Sequence, residues 1–278
     1  MARLPTFLVI GAMKTGTTSL RDYLHTHPQV YLPDAELHYF VADHNLFRGI
    51  DWYERQFEGA GDAIAIGEKS PTYAMYPEHP GVAARIASLL PDVKIVYIVR
   101  DPIDRIRSHY LHNLARGRER RPFVEAVALD HRYVDTSRYA MQLECYRGHF
   151  STDRILVLTS DALDADRSTT VARVAEFIGV DSSWRPPNID QRLHRSDEKR
   201  VPSTLETRLR RVPFGRAVAN LAPATVRRRM AGIGSRAITE ADAVIDAELR
   251  ARLVDELTDD VTHLRAWLDP SFDGWGIG

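Results

Sequence analysis

The feature that most constrains the chain is a loop. Gly11-Ala-Met-Lys-Thr-Gly-Thr-Thr18 lies between an apolar, β-branched run, Phe7-Leu-Val-Ile10, and a helical stretch from Thr17 to His27. Strand, glycine loop and helix in that order make a βα turn, which points backbone N–H groups and the positive end of a helix at a bound anion. Further strands are expected at Lys94–Val99, apolar on both faces like a central parallel strand, at Ile155–Leu158 and at Ala63–Gly67. Between them lie helical patterns over Gly81–Leu90, Pro102–Arg116, Ser137–Phe150 and Thr169–Ile178. Such alternation implies βαβ units, a parallel sheet and ligands at the strands' carboxyl ends.

Composition excludes several classes. Lys+Arg 37 against Asp+Glu 38 leaves a formal net charge of −1, so there is no whole-protein basic field for nucleic acid. The single cysteine, Cys145, excludes an intrachain disulfide and any multi-cysteine metal site, and points to a reducing compartment. The early apolar run is far short of the ~20 residues that span a bilayer. It meets Gly11 and Lys14 rather than a cleavage site, so neither a transmembrane segment nor a signal peptide is expected, and the cytoplasm is the expected location.

The last third is more helical and more basic. Thr204–Arg229 holds seven arginines (208, 210, 211, 216, 227, 228 and 229) against one acid, Glu206. This reads either as a solvated amphipathic helix pair or, over about 204–238, as a basic lid facing an anionic ligand, acceptor or membrane surface. Glu240–Leu268 reads as a long helix docking on the sheet. Gly232-Ile-Gly-Ser-Arg-Ala237 has a dinucleotide-like spacing, but no strand precedes it. Asp161, Asp164 and Asp166 lack the spacing of a calcium loop, and no metal site is expected. The expected fold is α/β: a P-loop-like three-layer α/β/α domain over residues 1–278, with a central parallel sheet and a helical C-terminal region.

The loop departs from the nucleoside-triphosphate pattern G-x-x-x-x-G-K-[ST]. Gly11, Gly16 and Thr18 fit, but Thr17 stands where the lysine should be, and Lys14 lies inside the loop. The strand at Lys94–Val99 is followed by Arg100, which suits a second anion better than a metal. Two other readings stay open here: a P-loop kinase for a small molecule, against which the missing lysine counts, and a non-catalytic nucleotide-binding protein.

Phe7–Thr18 resembles the 5′-phosphosulfate loop of sulfotransferases that use 3′-phosphoadenosine 5′-phosphosulfate (PAPS), and more narrowly that of bacterial relatives of the heparan-sulfate sulfotransferases. The resemblance continues in Ala35-Glu-Leu-His-Tyr-Phe40, in Gly67-Glu-Lys-Ser-Pro-Thr-Tyr73, in Arg100-Asp-Pro-Ile-Asp-Arg-Ile-Arg-Ser108 and in the ending Asp273-Gly-Trp275. It implies a sulfotransferase moving a sulfuryl group from PAPS to a hydroxyl or amine of a sugar, glycolipid or other small acceptor, without a metal and with adenosine 3′,5′-bisphosphate as product. Lys14, Thr15, Gly16, Thr17 and Thr18 would hold the 5′-phosphosulfate, and Arg100 with Ser108 the 3′-phosphate. Ser196, Lys199 and Arg200 would belong to a late basic loop closing over the nucleotide. Glu36 would be the general base, with Lys14 at the leaving oxygen and His38 and Lys69 assisting at the sulfuryl group and acceptor. Such a base works better with its pKa raised towards neutrality. The resemblance also makes Tyr139 and Gln142 candidates for the acceptor cleft. Ala35 stands where the family often has Lys or Asn, a difference that bears on acceptor contacts.

Overall fold

The computed structural model describes residues 3–190, 200–201 and 236–277; for Arg200 and Val201 it describes the backbone. Five strands form a parallel sheet in the order β2-β3-β1-β4-β5: β1 Phe7–Gly11, β2 Val30–Tyr31, β3 Ala65–Lys69, β4 Lys94–Val99 and β5 Ile155–Thr159. The register sets Val9 opposite Lys69 on one side and Val96 on the other. The strands are apolar because both faces are covered. On one face Phe7, Val9, Val96, Ile98, Leu156 and Leu158 pack on α1 (Thr17–His25) and α9 (Arg167–Ile178). On the other, Leu8, Ile10, Ile95, Tyr97 and Val157 pack on α3 (Val82–Leu89) and α7 (Tyr139–Arg147). The expected three-layer α/β/α arrangement is therefore present.

A third cluster joins α4 (Pro102–Ala115), α5 (Phe123–Leu129) and α6 (Arg132–Asp135) to the C-terminal helix α10 (Ala247–Leu264). Leu249, Leu253, Leu257, Val261 and Leu264 form its buried stripe, and each buried side chain of this size contributes roughly 1.5–3 kcal/mol. Asp260 of α10 accepts hydrogen bonds from the backbone N–H groups of Ala140 (3.0 Å) and Met141 (2.9 Å). It thereby caps the start of α7, which has no cap of its own. The stretch read as one helix over Glu240–Leu268 divides into a 3₁₀ turn, Glu240–Ala243, then α10 opened by Asp246, then a second 3₁₀ turn at Arg265–Trp267. Asp246 divides it because its carboxylate accepts from the N–H of Leu249 and so starts a new helix.

Strand β2 and the short helices α2 (Ile50–Arg55), α5, α6 and α8 (Ser160–Ala165) were not among the expected elements. Of the basic segment expected over about 204–238, residues 204–235 lie outside the described residues. At its borders β6 (Arg200–Val201) pairs antiparallel with β7 (Arg236–Ala237), and β6 lies beside α4. Among the described residues no helix is long and apolar enough to cross a membrane.

Candidate active site

Connections leave β1 and β4 in opposite directions across the sheet, which makes the crevice at their carboxyl ends the switch point where doubly wound folds bind ligands. A cleft of about 830 Å³ opens there. Lys14 through Thr18 line its floor, Glu36 and His38 one wall, and Arg100 and Ser108 another.

Gly16 creates the turn. Its φ of +98° is left-handed, a conformation that glycine adopts without Cβ strain, and it precedes α1 where no side chain caps the helix. The first turn of α1 thus opens on the cleft. Thr15 is buried, and its hydroxyl donates to the Ala12 carbonyl at 2.8 Å, so its side chain braces the loop. The Thr18 hydroxyl accepts from the Lys69 ammonium at 3.2 Å.

Lys69 ends β3 and joins two parts of the site. Besides Thr18, its Nζ meets Glu36 Oε1 at 2.5 Å. Its sequence neighbour Glu68 does not pair with it, because successive strand residues point to opposite faces and Glu68 is turned into the core. His38 Nε2 lies 3.4 Å from Glu36 Oε2, while its Nδ1 lies 2.7 Å from the Thr72 hydroxyl. One tautomer of a neutral ring satisfies both: Thr72 donates to Nδ1, and Nε2–H donates to the carboxylate.

Burial pushes the Glu36 carboxyl upward, but hydrogen bonds from His38 and Lys69, with the Lys69 charge, outweigh it and hold the pKa at about 2. The carboxyl therefore lies below its ordinary range, opposite to the shift that would favour a general base. A carboxylate touching an ammonium and an imidazole N–H is stabilised in its charged form.

Arg100 follows β4, and its Nη2 donates to Asp104 Oδ2 at 2.8 Å, one turn into α4. Asp101 caps α4 by accepting from the N–H groups of Ile103 and Asp104. Arg100 and Ser108 face the same cleft, whereas Arg105, between them, is fully buried and bonded to Ser137, His109 and the Tyr133 carbonyl. Burial lowers the Arg105 pKa to about 10.

Tyr139 and Gln142 do not line the cleft. Both are buried in the core, where the Gln142 amide clasps the backbone N–H and carbonyl of Tyr76. Ser196 and Lys199 lie outside the described residues, as does the Arg200 side chain.

The cleft also has walls that sequence reasoning missed. Asp104 and His112, four residues to either side of Ser108 on α4, and Arg116 at that helix's C-cap line the same face, and that spacing was a readable signal. Asp161, Asp164 and Arg167 come from α8 and the start of α9. Trp275, in the C-terminal Asp-Gly-Trp sequence, donates its indole N–H to Asp161 at 2.7 Å and ties the chain's end to this wall.

These features define an α/β protein with a cleft at the mouth of its parallel sheet, floored by a glycine loop and an uncapped helix start. Residues 4–208 match the family described as Sulfotransferase domain. The chain belongs to the sulfotransferase family, as its sequence blocks implied. It is 32% identical over 188 residues to the human heparan sulfate glucosamine 3-O-sulfotransferase 3B1, covering 64% of this chain and 47% of that protein. To the mouse bifunctional heparan sulfate N-deacetylase/N-sulfotransferase 4 it is 34% identical over 201 residues, covering 64% of this chain and 22% of that protein. The chain thus spans about half or less of these relatives. The solved structure of a sulfotransferase from Alicyclobacillus acidocaldarius shares the fold, with a TM-score of 0.73 at 24% identity over 99% of this chain and 100% of that one.

Proposed function

We propose that the protein is a PAPS-dependent sulfotransferase that sulfates a hydroxyl or amine of a sugar or other small acceptor, with Glu36 as general base. Family membership supports the reaction class, and the sugar substrates named for its relatives support the acceptor class. One observation carries the reading of the site: Lys69 links the carboxylate of Glu36 to the hydroxyl of Thr18 in the phosphate loop.

The residues present fit the donor. It carries anions at two ends, and the cleft has a loop with an uncapped helix start and Lys14 on its floor, then Arg100 and Ser108 further along. Bound PAPS supplies an activated sulfuryl group and a phosphate leaving group. Lys14 and the first turn of α1 hold negative charge at the leaving phosphate, and Lys69 holds it at the sulfuryl oxygens. An anion on the loop also competes with Glu36 for the Lys69 ammonium. As that contact weakens, burial raises the Glu36 pKa, and the carboxylate becomes a stronger base for the acceptor's proton. His38 keeps Glu36 oriented through Nε2.

The test is transfer of radiolabelled sulfate from PAPS to a panel of amino and hydroxyl sugars with EDTA present. Glu36→Gln is expected to retain donor affinity while turnover falls about 10²–10⁴-fold, the usual contribution of a positioned base. Turnover close to wild type in Glu36→Gln removes Glu36 as the base, and absence of transfer to every acceptor counts against the reading as a whole.

A further inference from the structure

Beneath the loop that carries Glu36 and His38 lies a carboxylate with no part in the site described above. Glu68 is completely buried, and it accepts three hydroxyl hydrogen bonds. Ser70 Oγ (2.7 Å) and the Tyr73 hydroxyl (2.5 Å) donate to Oε1, and the Tyr53 hydroxyl (2.6 Å) donates to Oε2. Burial and the neighbouring Glu68 push both tyrosines well above their ordinary range, so their phenols remain protonated donors.

Two of those hydroxyls also hold the loop, and the ring of the third residue packs on it. Ser70 Oγ accepts from the backbone N–H of His38 at 3.0 Å, and the Tyr73 hydroxyl accepts from the backbone N–H of Phe40 at 3.4 Å. The Tyr53 ring stacks on Tyr39, with centroids 4.2 Å apart and planes 11° from parallel. The loop needs this support, because His38 has a φ of +49°, a left-handed conformation rare for a residue with a side chain.

The direction of the hydroxyls is the decisive point. A hydroxyl has one proton. If Ser70 and Tyr73 give theirs to Glu68, their lone pairs are left for the N–H groups of His38 and Phe40. Burial pushes the Glu68 carboxyl above its ordinary range, and the hydrogen bonds from Tyr53, Tyr73 and Ser70 oppose that shift by favouring the carboxylate. With both of its oxygens accepting, the carboxylate imposes that direction on every member of the network. A buried charge is costly unless fully hydrogen-bonded, and here the donors are the groups that hold the loop.

We propose that Glu68 is the positioning residue for Glu36 and His38, acting through Ser70, Tyr73 and Tyr53 to fix the loop that presents them to the cleft. The inference rests on the reading of Glu36 and His38 as the groups that act on the acceptor. The side-chain hydrogen bonds of Glu68 go to Tyr53, Ser70 and Tyr73, none of which belongs to the phosphate loop, so its effect should separate from donor binding.

Glu68→Gln tests this, because the amide replaces one acceptor oxygen with a donor of nearly the same shape and forces at least one hydroxyl to reverse. Three quantities are measured: backbone hydrogen exchange at His38 and Phe40, kcat at saturating PAPS, and the affinity for adenosine 3′,5′-bisphosphate. Exchange at His38, Phe40 or both is expected to rise about tenfold relative to the amides of β1, and kcat to fall about 10–100-fold, the scale of a lost charged hydrogen bond. The bisphosphate Kd is expected to stay within about threefold, since the loop that binds it keeps its contacts.

Ser70→Ala is expected to raise exchange at His38 alone, and Tyr73→Phe at Phe40 alone; these two carry the test if Glu68→Gln does not fold. Unchanged exchange at both amides overturns the proposal. So does a rise of equal size across β1 and β3, which means that Glu68 only stabilises the fold. If the wild type transfers no sulfate, the proposed function fails while the exchange data still decide whether Glu68 holds the loop.

Discussion

The ammonium of Lys69 stands 2.5 Å from the carboxylate of Glu36 and 3.2 Å from the hydroxyl of Thr18, so one cation joins a wall of the cleft to the glycine loop at its floor. The geometry makes Glu36 and the phosphate loop competitors for the same charge. Hydrogen bonds from His38 and Lys69, with the Lys69 charge, hold the Glu36 carboxyl at about 2, and under the proposed function an anion on the loop would weaken the Lys69 part of that hold.

Lys69→Met removes that contact. Burial, which pushes the Glu36 pKa up, is then opposed mainly by His38. The acid limb of kcat/KM, which reports the base in the free enzyme, is expected to move to higher pH by about one unit or more, with kcat lower by about 10². A pH–rate profile of the variant checks this; an unmoved limb separates Lys69 from the base.

Arg100→Ala tests the second anion site. Loss of a charge-assisted bond to a 3′-phosphate should weaken adenosine 3′,5′-bisphosphate about 10–100-fold and leave adenosine 5′-monophosphate within about twofold. Equal losses for both nucleotides in a calorimetric comparison contradict the assignment.

Gly67 lies opposite Phe7 across the β1–β3 ladder, and a Cβ there would clash with the tip of the Phe7 ring, nearest its Cζ. Gly67→Ala is expected to cost about 1–3 kcal/mol by overpacking. Urea denaturation measures it, and a neutral result means that the ring has room to move.

Glu119, in the turn after α4, accepts from Nε and Nη2 of Arg121 and from the backbone N–H groups of Arg120 and Arg121. The Arg121 hydrogen bonds hold its pKa at about 2, below the ordinary 4.5, despite an opposing contribution from burial. A depressed carboxyl stabilises the fold above its unfolded pKa and loses that contribution as pH falls through the folded one. Wild type should be more stable than Glu119→Gln at pH 7, with the gap closing between about pH 4.5 and 2. Urea midpoints across that range give the comparison.

The sheet was legible because β1 and β4 are buried on both faces and carry unbroken apolar runs. Strand β2 has two residues, Val30 and Tyr31, too few for any period, and α6 has four. The phosphate loop and Glu36 were visible as motifs because their chemistry is local in sequence. The partner of Lys69 was not, because Glu68 is its neighbour in sequence and Glu36 its neighbour in space. Only strand alternation together with the fold of the 36–40 loop distinguishes the two. The depressed Glu36 carboxyl follows from the same pairing and was hidden with it. Tyr139 and Gln142 show the reverse case, a motif whose side chains prove to be core.

The most direct test of the central claim is a calorimetric titration of adenosine 3′,5′-bisphosphate into the protein in EDTA, beside ATP with magnesium. Micromolar binding of the bisphosphate, about −8 kcal/mol, is the expected result, with that affinity lost in Lys14→Ala. No bisphosphate binding, with magnesium–ATP taken up in its place, would contradict the reading of the cleft as a PAPS site.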